Sequence, residues 1–205
     1  MSRFQPPYPG YDVLAKWDTP SWNDPTRRVV AERLTRVPER RFFDPHEWAT
    51  LHAVCDRLIP QPDRLEPVPI APFIDDKLHR HQSDGWREES MPRMEDAWRR
   101  FLKGIDEAAQ ARYGRPFVDL GPEWRDLVLR AVQKREAEGG AWGDMDQKTF
   151  FEKSLLREAA GIYYAHPAAW SEIGFGGPAS PRGYVRLVAD RRDPWEAPLE
   201  REDEA

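Results

Sequence analysis

Apolar positions recur at helical spacing in a series of segments separated by stretches rich in proline and glycine. The first helix is predicted to begin near Asn23-Asp24, with Pro25 preorganised in the first turn, and to run to about Val37. The next start signal is the strongest in the chain. Asp44 is placed to cap, Pro45 takes the first helical position, and Glu47 supplies the reciprocal carboxylate of a capping box. Phe43 and Trp48 stand where a hydrophobic staple would put them, and Trp48, Leu51, Cys55 and Leu58 define a buried face that ends before Pro60. Five prolines between Pro60 and Pro72 predict a stiff, extended connection. Residues 72–81 read as a short helix with Phe73, Ile74 and Leu78 inward. Pro92 opens a longer one, whose stripe of Met94, Ala97, Trp98, Phe101, Ile105 and Ala108 stops at Tyr113-Gly114. A helix after Pro122 turns Leu127, Val128, Ala131 and Val132 inward and stops at Gly139-Gly140. The last helix starts near Asp146 and carries Phe150, Phe151, Leu155, Ala159 and Ile162 to about Tyr164. No stretch alternates with period two. The pattern predicts an all-α, single domain of about six helices.

Both ends of the chain lack this periodicity. Residues 1–22 combine Phe4, Tyr8, Tyr11, Trp17 and Trp22 with four prolines, too many for a long helix and too aromatic for a solvated tail. They read as an extended arm that packs on something, either its own domain or a partner. Residues 165–184 hold three prolines, four glycines and the aromatics Trp170, Phe175 and Tyr184, which reads as a long irregular loop with anchors. Val185 to Val188 add a short extended piece. The resulting division is an arm over 1–22, a helical domain over 23–189 and an acidic, disordered tail over 190–205.

Composition narrows the function classes. The formal net charge is −5, and Asp190–Ala205 alone carries −4, so the rest of the chain is nearly neutral. Arginine outnumbers lysine 25 to 6, a bias suited to bidentate and stacked interface contacts, but no basic stripe or nucleic-acid motif accompanies it. No apolar run reaches the length of a membrane-spanning helix, and no basic-then-apolar leader is seen, so the expected compartment is the cytoplasm. Cys55 is the single cysteine, which excludes an internal disulfide, a cysteine-ligated iron–sulfur cluster and c-type haem attachment.

Gly174, Gly176 and Ala179 fit the G-x-G-x-x-A pattern, but that chemistry needs a preceding strand and a helix starting at the glycines. Here a helix precedes, and Pro178 and Pro181 obstruct an ordinary continuing one. His79 and His81 point to different faces of a helix, and the spacing of His46 and His52 is also unfavourable for chelation. His52 and Cys55, with Asp56 nearby, are a possible metal set, weighed against a buried thiol beside a half-exposed imidazole. His166 reads as a helix-end cation or donor. Asp75-Asp76 and Glu88-Glu89 read as solvated surface, and no nucleophile elbow is present. No catalytic, cofactor-binding or metal-binding residues are assigned within this chain.

The segments FFDPHEWATLHAVCDRLIPQP (42–62), PVPIAPFIDDKL (67–78) and DQKTFFEKSLLREAAGIYYAHPAAWSEIGFGGPASPRGY (146–184) resemble the gluconate 2-dehydrogenase subunit 3 family. HPAAW…EIGFGGP…PRGY is the most specific part. The resemblance implies a non-catalytic accessory subunit. Its partner would be a large dehydrogenase of the glucose–methanol–choline type that binds FAD and oxidises gluconate or a related sugar. A multihaem cytochrome c subunit often passes the electrons to quinone, and the small subunit supports maturation, stability or export of the flavoprotein. Members often carry a twin-arginine leader, absent here, so export would depend on a signal-bearing partner. The candidate partner interface is His166, Pro167, Trp170, Phe175, Gly176, Gly177, Arg182 and Tyr184, aided by Tyr8, Tyr11 and Trp17 of the arm. The competing expectation is that this segment folds back on its own helices. Two other classes stay open: a helical interaction module for an unrelated partner, and a small metal-dependent enzyme using His52 and Cys55.

Overall fold

The computed structural model describes residues 8, 10–62, 64–89, 91–178 and 193–197. Arg182, Tyr184, the 185–188 piece and most of the acidic tail lie outside them. Among the described residues every regular element is helical. They fall into two compact units: residues 38–162, and the described parts of 1–37 and 163–205.

The unit 38–162 is built from four helices and most of a fifth. Helix α2, Pro45–Leu58, follows α1 (Asp24–Thr35) of the other unit and begins with the predicted capping box: Asp44 accepts from the backbone N–H groups of His46 and Glu47, both at 2.8 Å, and Glu47 accepts from the Asp44 N–H at 3.0 Å. Its buried face is wider than the periodicity suggested, comprising Thr50, Leu51, Ala53, Val54 and Cys55, with Trp48 and Leu58 half-buried at the edges. The reason is that α2 packs against α3, α4 and α5 together. Helix α3, Ile70–His79, buries Ile74 and Leu78 as expected.

Asp75 and Asp76 are corrected by the structure. They are buried, not solvated: Asp75 is 0% exposed. Its carboxylate accepts from the backbone N–H groups of Arg41 (2.6 Å), Phe42 (3.1 Å) and Phe43 (2.9 Å), so three donors in a non-helical stretch find their partner in one side chain. Asp76 pairs with Arg41 at 2.6 Å and Arg80 at 2.9 Å.

Helix α4, Met94–Tyr113, is the centre of this core and ends at Gly114 in the left-handed conformation. Phe101 stacks on Phe150 with ring centres 4.7 Å apart, while Trp98 meets Phe150 edge-on at 5.3 Å and Trp142 lies 6.1 Å from Phe101. Gly104 makes room for the Trp142 indole: a Cβ there would sit 2.5 Å from the ring. Helix α5, Pro122–Lys134, buries Val128, Leu129 and Val132, whereas Leu127 is partly exposed. It stops before the predicted glycines, because Arg135 adopts the left-handed conformation (φ 65°) and its side chain pairs with Asp146 at 2.6 Å. Helix α6 starts as Gln147–Thr149 with Asp146 capping the Thr149 N–H at 2.7 Å, passes through a π-helical stretch Phe150–Leu156, and continues as Arg157–Ala165.

The second unit contains a 3₁₀ turn, Val13–Lys16, and α1, Asp24–Thr35, capped by Asn23 accepting from the Thr26 N–H at 3.0 Å. It also contains a short helix α7, Pro167–Glu172, inside the segment read as a loop. Pro167 occupies the first turn and His166 is the cap. Six residues are too short to show a helical period, which is why the sequence did not reveal α7.

Candidate partner interface

The sequence-derived interface residues fall in the second unit, and the structure brings the described ones together. Val13, Trp22, Val30 and Trp170 form a small core, with Tyr11, Leu14 and Trp17 packed against it. Trp17 meets Trp22 edge-on at 5.7 Å. The Trp22 indole N–H donates to the Pro178 carbonyl at 2.8 Å, the Val13 N–H to the Ser171 hydroxyl at 3.1 Å, and the Tyr11 hydroxyl to the Trp195 carbonyl at 3.2 Å. Lys16 is buried, donates to the Gly176 carbonyl and lies 5.0 Å from the centre of the Trp22 ring. Burial pushes its ammonium below the usual lysine range, and Glu196 and Asp193 partly offset this.

Trp170 is 3% exposed, and its indole N–H donates to the Tyr164 carbonyl at 2.7 Å. Gly177 (φ 71°) lies against it and Trp22; an added Cβ would sit 3.1 Å from both rings. Pro167 is also buried, Tyr8 is half-buried, and Phe175 packs edge-on against Trp170 at 5.8 Å while staying 39% exposed. Arm and C-terminal segment therefore hold one another, and Phe175 is the most accessible aromatic of the described set. His166 stands at a helix end, where its Nδ1 accepts from the Ala168 N–H at 3.2 Å and caps α7.

The candidate metal pair in the unit 38–162 does not present a site. The Cys55 thiol is buried and pushed up to about 12, first by desolvation and then by Asp56. Burial pulls the His52 imidazole below its ordinary value, with Asp56 opposing, and its ring meets Trp48 edge-on at 4.6 Å. Among the described residues no group of three or more His, Cys, Asp or Glu side chains could hold a metal ion. No helix among them is long and apolar enough to cross a membrane.

Sequence reasoning missed a cleft of about 440 Å³ in this unit. The chain over residues 81–88 and 91–93 forms one wall, α4 another, and the π-helical stretch of α6 supplies Phe150, Lys153 and Ser154. Met91 and Met94 give it apolar surface, and Trp86 stands half-exposed at its edge with the Arg157 guanidinium 5.3 Å from its ring centre. The signal in the sequence was a lone tryptophan amid polar residues, where periodicity says nothing.

A family model described as gluconate 2-dehydrogenase subunit 3 matches residues 45–177. The chain belongs to this family. The matched span runs from the first residue of α2 to Gly177, and so includes the whole cleft and the C-terminal segment that holds Trp170. The gluconate 2-dehydrogenase subunit 3 family takes its name from one component of a dehydrogenase complex. Neither a curated protein nor a solved structure gives a significant match.

Proposed function

We propose that this gluconate 2-dehydrogenase subunit 3 family member is a non-catalytic small subunit. It binds a large FAD-dependent dehydrogenase of the glucose–methanol–choline type and supports its maturation, stability or export. The observation that carries this reading is the family match over residues 45–177. The environment of Cys55 agrees with it: a buried thiol held at about 12 is a poor nucleophile at neutral pH. In this reading FAD sits in the partner, and a multihaem cytochrome c subunit accepts the electrons that gluconate or a related sugar gives up.

Co-expression tests it. The purified chain alone is expected to be colourless and inactive, and to copurify with a much larger yellow flavoprotein whose yield of soluble, flavin-loaded enzyme rises when both are present. Flavin bound to the isolated chain, or a flavoprotein that matures equally well without it, would overturn the proposal.

A further inference from the structure

The cleft over residues 81–97 and 150–154 has a charge balance that its own chain leaves incomplete. Asp84 is engaged by Lys77 at 3.0 Å and by Arg157 at 3.5 Å, and Glu95 by His81 at 3.1 Å. Lys77 also reaches Glu158 at 2.5 Å. Asp84 is therefore compensated, while Glu95 lies in the field of Arg93 as well as against the His81 ring. Arg87, Arg93 and Lys153 also line the cleft, and among the described residues none of them has an ion pair; Glu88 is the one lining acid in the same condition. With Arg93 set against Glu95, Arg87 and Lys153 remain against Glu88, and the balance is positive. Met91 and the half-buried Met94 supply its apolar surface, and Phe150 is fully buried. Methionine accepts side chains of varied shape, and arginine forks match carboxylates.

The wall contributed by α6 is a second, independent mark. Phe150, Lys153 and Ser154 all belong to the π-helical stretch. Such turns are rare and occur often at functional positions. On the opposite rim His81 holds a left-handed conformation (φ 53°) that costs a non-glycine residue energy. Trp86 is 52% exposed at the edge of the cleft, with the Arg157 guanidinium over its ring. Volume and mixed lining suit a short stretch of polypeptide with one apolar side chain inserted.

We infer that this cleft docks an acidic segment of the large dehydrogenase subunit, with an apolar side chain of that segment against Trp86, Met91 and Met94 and its carboxylates on Arg87, Arg93 and Lys153. The inference rests on the proposed function and names the surface through which the chain performs it. Electrostatic complementarity of this kind contributes mainly to rate and register of association and is weakened by salt.

The test uses the full chain and the large subunit recovered with it from the native host, identified by mass spectrometry and by flavin absorbance. Carbodiimide joins an amine to a carboxylate with no spacer, so the complex is expected to yield Lys153 linked to an Asp or Glu of the large subunit. Lys153→Arg removes that product while retaining the complex. Arg87→Glu with Lys153→Glu is expected to weaken binding at least tenfold at low salt, with a smaller effect at high salt, while circular dichroism and Tm stay native. Trp86→Ala weakens it with the salt dependence unchanged, and Lys134→Glu on α5 is a control without effect. A complex that forms normally but is indifferent to the charge reversal, or a Lys153 cross-link only to a second copy of this chain, would overturn the cleft and leave the proposed function standing. Failure of the wild-type chain to recover any flavoprotein would overturn both.

Discussion

Asp75 illustrates how much one side chain decides at the residue scale. It sits on α3 but satisfies three backbone donors of the segment leading into α2. Removing it leaves those N–H groups buried or half-buried without an acceptor. Asp75→Ala is therefore expected to destabilise the unit 38–162 by about 3 kcal/mol, several degrees of Tm, which thermal unfolding will measure. A surface aspartate would cost a few tenths. Asp146 is a titration case. The Arg135 guanidinium, with the Thr149 N–H, holds its carboxyl at about 2, below the ordinary 3.8, against the opposing effect of burial. A depressed folded-state value contributes stability above the unfolded value and loses it as pH falls through the folded one. Asp146→Asn should thus cost stability at neutral pH, with wild type and variant converging between pH 3.8 and about 2 in urea unfolding. Parallel curves across that window would refute the assignment.

At the scale of elements, the helices with chemical start signals were the most legible. Asp44, Pro45 and Glu47 announced α2 to the residue, and the complete capping box is the reason. Asp44→Ala is expected to cost about 1 kcal/mol, and Glu47→Ala less, since Asp44 satisfies two donors and Glu47 one; circular dichroism against temperature will rank them. Elements whose ends depend on tertiary partners were less legible. Helix α5 was extended in expectation to Gly139-Gly140, yet Arg135 stops it in a left-handed conformation, where its N–H donates to the Val132 carbonyl at 3.0 Å and the Glu136 N–H to the Ala131 carbonyl at 2.8 Å. The π-helical stretch in α6 is similarly invisible to periodicity. Its Phe150 stacks on Phe101 and meets Trp98, contacts with a distant helix that no local pattern announces.

The two units set what can be expected of the molecule. Trp170 is a core residue of the unit it shares with Val13, Trp22 and Val30, so Trp170→Ala is expected to cost about 3 kcal/mol there. Limited proteolysis will show it as faster cleavage after Lys16. Unchanged cleavage, with lost recovery of a dehydrogenase, would return Trp170 to the role of a partner anchor. The all-α class and the core-bearing faces of α2, α3, α4 and α6 were readable in the residues alone, because helix caps and a 3.6-residue period are local properties of the chain; the family was readable in the particular residues of 42–62, 67–78 and 146–184. Only the tertiary structure decided the fate of residues without a period: that Asp75 is a buried acceptor, that Trp22 and Trp170 share one core, and that Trp86 and Lys153 edge one cleft. Each of these joins positions far apart in sequence, and the energy of such a contact depends on which groups the fold removes from water together.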